Sequence, residues 1–303
     1  MDTARHRRWR PDFPLDLARV LLPLRHGPRD PAFHTTPDGS FWRASRTPAG
    51  IGTLRITAAG TEIDATAWGP GADWLLERLP LLLGAGDDPT ARVLQHPALR
   101  EVQRRHPGLR QGASGLVLES LIPAVIEQKV TVLEAHRSWR YLLTRFGTPA
   151  PGPLPELRAV PSAREWALIP SWEWHRAGVD PKRADTVQRA VRLAPRLEEA
   201  SAMGHDAAVT RLTLLPGIGP WTAAETLQRC NGDPDAVSVG DYHLANHVGW
   251  ALAGRPRSTD EQMLELLAPY TGQRHRVCRL IALTGTRAPR FGPRLTPEDH
   301  RVR

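Results

Sequence analysis

Leu215-Pro216-Gly217-Ile218-Gly219-Pro220-Trp221-Thr222-Ala223 is the stretch that decides how this chain folds. Leu212, Leu214 and Leu215 close an apolar helical run, and Pro216, with no N–H to donate, stops it. Gly217 and Gly219 permit positive φ and present no Cβ to an approaching backbone. Ile218, apolar at the tip, anchors the turn to a neighbouring helix. Pro220 suits the first turn of the next helix, which then runs from Trp221. The N–H groups around Gly217, Gly219 and Trp221 point outward together, and a helix N-terminus attracts anions through such groups and the aligned peptide dipoles. A plain helical corner uses the same two glycines; the whole nine-residue string favours a corner that grips a phosphate.

Downstream, Val239-Gly240-Asp241 places one carboxylate at the start of another helix. Capping the helix ahead of Tyr242-His243-Leu244 is one role open to Asp241. Chemistry beside a bound backbone is the other, and the two are compatible.

These segments, together with Gly232-Asp-Pro-Asp-Ala236 and the upstream Ile126-Glu127-Gln128-Lys129-Val130-Thr131, resemble the helix–hairpin–helix DNA glycosylases, in particular the bacterial 3-methyladenine DNA glycosylase II group, the AlkA type. The resemblance extends over residues 90–285 and reaches the N-terminal part only in general layout. It implies a monofunctional glycosylase of base excision repair that hydrolyses the N-glycosidic bond of alkylated purines, of 3-methyladenine type, in damaged double-stranded DNA. By that resemblance Asp241 is the catalytic acid. Breaking the bond builds positive charge on the sugar, and a carboxylate in a partly dry site stabilises that charge or orients the attacking water. Trp221, Glu225 and Gln128 would line the pocket for an extruded base. An indole stacks well on a cationic base, although Trp221 at a helix start also suits a core. Glu225, one turn beyond Trp221, suits either a pocket or a solvated face. Gln128 suits either the DNA gap or helix packing.

Leu215, Gly217, Ile218, Gly219, Thr222, Lys129 and His243 are the expected DNA-binding positions. Lys129 stands where the family carries an apolar wedge, so it either fills the gap with its stem or binds a phosphate. Bifunctional relatives carry a Schiff-base lysine where this chain has Trp221, and the chain holds only two lysines, Lys129 and Lys182. Cys230 and Cys278 are its only cysteines, too few for the four-cysteine iron–sulfur cluster of other branches. The stretch Leu280–Gly285 lacks the aromatic pair of the AlkA type. His243 and His247 have i, i+4 spacing without a third ligand nearby, so no metal site is expected. The resemblance calls for no cofactor, and allows a monovalent cation on the hairpin carbonyls. The competing reading is a non-catalytic helix–hairpin–helix module that recognises damaged or bent DNA.

Composition fits a nucleic-acid partner. The 303-residue chain has a formal charge of +8, nearly all from arginine. Two distant cysteines indicate a reducing compartment. Arg5, Arg7, Arg8 and Arg10 leave no apolar signal core, and no run of about 20 apolar residues is present to span a bilayer. A cytoplasmic, nucleoid-associated monomer with no membrane contact is expected.

The fold class expected is α+β: a small N-terminal antiparallel sheet with helices over residues 1–88, an all-helical glycosylase domain over 89–285 and a basic tail over 286–303. Residues 1–13 read as a loose basic lead and 14–24 as an amphipathic helix. Segments 41–47, 52–57 and 61–68 read as strands of a meander with one buried face. A helix capped by Asp73 runs to 83. Beyond 89 the pattern predicts helices, among them one long helix over 116–146 kinked at Pro123. Arg274, Arg276 and Arg279 are candidate phosphate ligands, with generic surface arginines as the default.

Overall fold

The computed structural model describes residues 3–90 and 94–289. The five-stranded antiparallel sheet comprises β1 (Arg5–Trp9), β2 (Phe33–Thr35), β3 (Phe41–Thr47), β4 (Gly50–Ala59) and β5 (Glu62–Trp68), in the order β1-β5-β4-β3-β2. The two-residue period of β5 buries Ile63, Ala65 and Ala67 on one face. Leu54 and Ile56 of β4 join them, and α2 (Ala72–Glu77) and α3 (Leu79–Leu82) cover that face with Leu75, Leu76 and Leu79. On the other face Trp42 stacks on Trp68 at 5.4 Å and packs against Leu157 and Ala159. The predicted meander is present. The loose lead is not: residues 5–9 pair with β5 in the register Arg5↔Ala67 to Trp9↔Ile63. The sheet recruits this arginine-rich segment as an edge, where charged side chains discourage further pairing.

The helix expected to start at Asp73 is capped by Gly71 instead, and is interrupted at Arg78. After α1 (Leu17–Leu21), which lies between β1 and β2, and α2 and α3 come α4 (Pro97–Arg105), α5 (Val117–Ile126), α6 (Val132–Phe146), α7 (Ala163–Ala167), α8 (Ser171–Ala177), α9 (Pro181–Arg192), α10 (Ala194–Glu198), α11 (His205–Thr213), α12 (Pro220–Cys230), α13 (Leu244–Ala253), α14 (Asp260–Leu267) and α15 (Arg274–Leu283). A two-stranded ribbon, β6 (Thr148–Pro149) with β7 (Arg158–Ala159), follows α6. None of the described helices is long and apolar enough to cross a membrane.

The predicted single helix over 116–146 is two helices. Pro123 is accommodated inside α5, and the chain breaks at 127–131. The cause is the capping box at Thr131, whose side chain accepts the N–H of Glu134 while Glu134 returns to the N–H of Thr131. That break puts Gln128, half-buried, and Lys129, exposed, on a turn rather than on a helix face.

The helices build two cores. One gathers side chains from Val117 to Ala236; the other joins Leu94–Leu109 to Val237–Ile281. The chain passes from one to the other between Ala236 and Val237, so the segment leading to Asp241 lies on the seam.

Candidate active site

The hairpin forms as its sequence requires. The N–H of Leu215 bonds the Leu212 carbonyl at 3.1 Å, and the N–H of Ile218 bonds the Leu215 carbonyl at 3.0 Å. Leu215 and Ile218 are each 5% exposed and anchor the corner in the first core. The two glycines serve different ends. Gly217 has φ +98°, and a Cβ there would lie 2.2 Å from Thr186 Oγ1. Gly219 is extended, φ −98°, ψ −178°, with open space where its Cβ would be. The first glycine lets the turn close against α9; the second keeps the approach to α12 clear. The amides of Gly217 and Gly219 make no hydrogen bond among the described residues, and the first-turn amides of α12 lack helical partners by construction.

The corner is braced from two sides. Gln128 Nε2 donates to the Gly217 carbonyl at 2.9 Å and to Thr222 Oγ1 at 2.7 Å. Arg189 Nε donates to the Pro216 carbonyl at 3.2 Å. Thr222 is buried, so its hydroxyl serves the bracing and not the outer surface. The hairpin carbonyls of residues 215, 216 and 217 each accept a hydrogen bond. Lys129, next to Gln128, is exposed at φ +56°, and among the described residues it is the only non-glycine with positive φ. The structure thus brings Gln128, Lys129, the hairpin and Thr222 together.

Asp241 is half-buried at the start of α13. Its Oδ1 accepts the N–H groups of His243 at 2.8 Å and Leu244 at 2.9 Å, so it closes the turn into α13, whose N-cap residue is His243. Its Oδ2 has no hydrogen-bond or ion-pair partner among the described residues. A ladder of contacts ties this carboxylate to α12. The N–H of Asp241 bonds the Ser238 carbonyl at 3.2 Å. Ser238 Oγ donates to Glu225 Oε1 at 2.5 Å and receives Gln228 Nε2 at 2.9 Å. Trp221, half-buried, and Glu225 are one turn apart on the same side of α12. His243 is exposed, and its ring meets Tyr242 edge-on at 4.8 Å and His247 at 6.2 Å.

Charge is concentrated behind this wall. Glu225 Oε2 pairs with Arg229 Nη1 at 2.7 Å, and Arg229 Nε bonds the Pro23 carbonyl at 3.0 Å. Glu127 Oε1 lies 3.3 Å from His26 Nδ1. Burial pushes the Glu127 carboxyl up, but His26 and then Arg229 outweigh it and hold it below the usual range. Burial opposes the Arg229 charge, and Glu225 and Glu127 more than restore it. Among the described residues no group of three or more His, Cys, Asp or Glu side chains is arranged to hold a metal. Cys230 and Cys278 are buried, and burial pushes both thiols up, Cys278 to about 12.

The arginines of α15 differ from the surface default. Arg274 pairs with Asp235, and Arg276, 2% exposed, with Asp87. Arg279 donates to Gln111 Oε1 at 2.8 Å and to the Arg19 carbonyl at 2.6 Å. All three arginines are engaged within the protein as struts between elements and are not generic surface charges. Sequence reasoning also missed Gln228, Ser238 and Arg229. Only the i, i+4 pairing of Glu225 with Arg229 was a readable signal.

No family model matches the chain. A probable bifunctional transcriptional activator/DNA repair enzyme AlkA of Mycobacterium tuberculosis is 29% identical over 216 residues, 68% of this chain and 43% of that protein. The chain therefore spans less than half the length of the curated relative it matches. Among solved structures, a 3-methyladenine DNA glycosylase from Archaeoglobus fulgidus superposes with TM-score 0.76 at 17% identity, covering 92% of this chain and 98% of that one. A Clostridium acetobutylicum 8-oxoguanine glycosylase/lyase, solved with double-stranded DNA, superposes with TM-score 0.71 at 11% identity, covering 94% and 97%. At these identities the superpositions speak to fold: the N-terminal sheet and the helical part after it share one architecture with both structures.

Proposed function

We propose, for a chain that belongs to the helix–hairpin–helix DNA glycosylase superfamily, that it is a monofunctional glycosylase of base excision repair releasing alkylated purines of 3-methyladenine type from duplex DNA. The observation that carries this reading is the Asp241 carboxylate. One oxygen is fixed by the turn into α13 and the other has no partner among the described residues, on a loop bonded to the helix that follows the hairpin. The corner amides and Lys129 would hold the strand, and the damaged nucleotide would turn out toward Trp221. As the C1′–N bond breaks, its electron pair leaves with the base. An N-alkylated purine is cationic beforehand and departs neutral without a proton donor. Asp241 Oδ2 would stabilise the sugar cation, and water would add at C1′ and lose its proton to the carboxylate or to solvent.

Trp221 supports the absence of lyase chemistry, since it occupies the place of the Schiff-base lysine. The resemblance to the AlkA relative, rather than to the 8-oxoguanine enzyme, supports an alkylated substrate. The test is release of bases from duplexes carrying 3-methyladenine, 7-methylguanine or 8-oxoguanine. Methylated purines should be released by the wild type and about 100-fold more slowly by Asp241→Asn, with duplex binding retained and no adduct trapped by borohydride. Equal release by Asp241→Asn, or binding of damaged DNA without release by the wild type, would instead indicate a recognition module.

A further inference from the structure

We propose that Glu225 and Ser238 are positioning residues that set the aim of Asp241, an inference that rests on reading Asp241 as the catalytic carboxylate. Asp241 follows Gly240, which has φ +90° and nothing within 4 Å of where a Cβ would be. No packing at the Cβ position of that glycine sets the path of the loop toward Asp241. Oδ1 of Asp241 is held by the turn that follows it, and the loop that carries the residue is held by Ser238, which is 6% exposed. Its hydroxyl is held between Glu225 Oε1 at 2.5 Å and Gln228 Nε2 at 2.9 Å, and its carbonyl holds the Asp241 N–H at 3.2 Å. Gln228 Nε2 also donates to the Ala236 carbonyl at 2.8 Å, so two points of the loop are tied to one turn of α12. On the far side, the N–H of Gly240 bonds Asp260 Oδ2 at 2.9 Å.

Glu225 has no oxygen left unengaged. Oε1 accepts from Ser238 and Oε2 from Arg229, which is itself fixed to the Pro23 carbonyl. The side chain therefore serves the loop and not an incoming base. Trp221 and Asp241 are thus referenced to the same helix: the surface on which a base would stack and the carboxylate that would meet the sugar keep their spacing through Ser238.

The test uses the full-length chain with Ser238→Ala, Ser238→Thr and Glu225→Gln. It measures single-turnover release of methylated purine, affinity for a duplex with an abasic-site analogue, and amide exchange at Asp241, His243 and Leu244. Ser238→Ala and Glu225→Gln should slow release between about 10- and 100-fold, the scale of a misaimed group. Affinity should stay within about 2-fold, and exchange at the three amides should accelerate. Ser238→Thr should restore the rate. In an Asp241→Asn background Ser238→Ala should add no further loss, because it acts through that carboxylate. Release by Ser238→Ala at the wild-type rate, or a full multiplicative loss on top of Asp241→Asn, would overturn the proposal. So would unchanged exchange, which is read without activity. Accelerated exchange together with an Asp241→Asn variant that still excises would leave the latch standing and remove the catalytic role of Asp241.

Discussion

Replacing Gly217 by alanine tests whether the corner has the shape described. Gly217 sits at φ +98°, and an L residue held at positive φ costs about 1–2 kcal/mol. The added Cβ would also lie 2.2 Å from Thr186 Oγ1, 2.9 Å from its Cγ2 and 3.1 Å from its Cβ. Thr186 cannot easily yield: it is 2% exposed on α9, its hydroxyl donates to the Lys182 carbonyl at 2.8 Å, and it receives Arg189 at 3.1 Å. Overpacking of this kind costs about 1–3 kcal/mol, so Gly217→Ala should lose about 2–5 kcal/mol in all. Gly219→Ala is the control. Its extended backbone accepts any residue and nothing lies within 4 Å of the new carbon, so its stability should change by less than about 0.5 kcal/mol. Binding to duplex DNA should weaken all the same, because the methyl group enters the approach to α12. Urea unfolding followed by tryptophan fluorescence gives the stabilities. Adding Thr186→Ala to Gly217→Ala removes the two nearest atoms and should recover about 1–3 kcal/mol of coupling. A Gly217→Ala protein as stable as the wild type, or a double variant with no recovery, would refute the reasoning.

Two further outcomes follow from single residues. Lys129→Gly relieves a left-handed lysine and should raise stability by about 0.5–1 kcal/mol in urea unfolding. By fluorescence anisotropy the same variant should bind an abasic-site duplex more weakly; a loss of stability would mean that the lysine supports the fold. His205 is raised above the ordinary imidazole range by the hydrogen bond its Nδ1–H donates to Asp233 Oδ2, 2.6 Å away, against an opposing effect of burial. A raised folded pKa gives stability that is complete below about pH 6.5, the unfolded value, and is lost as pH rises through the folded one. Melting temperature should therefore fall over that window in the wild type and fall less in His205→Gln; parallel profiles would refute the assignment.

What the sequence made legible were features whose cause is local. The hairpin could be read because proline and glycine constrain the backbone by themselves, and the strands from Phe41 to Trp68 because burial alternates along them. The break before α6 was legible in principle. Thr131 followed three residues later by Glu134 is a helix-start signal, and Pro123 drew attention away from it. β1 was hidden because Arg5–Trp9 has little apolar alternation; it is a strand only because β5 offers it a free edge. The site divides in the same way. Asp241 and the glycines follow from the string. The role of Glu225 depends on Ser238, thirteen residues on, and the struts from α15 reach partners up to 260 positions distant. No local pattern encodes such pairings.

Those struts bear on how the chain meets a polyanion. Arg229, Arg276 and Arg279 join parts of the protein remote in sequence by donating to carbonyls and carboxylates, much as mortar joins stones. Guanidinium groups used in this way release no counterions when DNA arrives. On the proposed function, the ionic-strength sensitivity of association should accordingly follow the phosphates that the hairpin and Lys129 would contact, and a tally of basic residues overstates the field that a nucleic acid would feel.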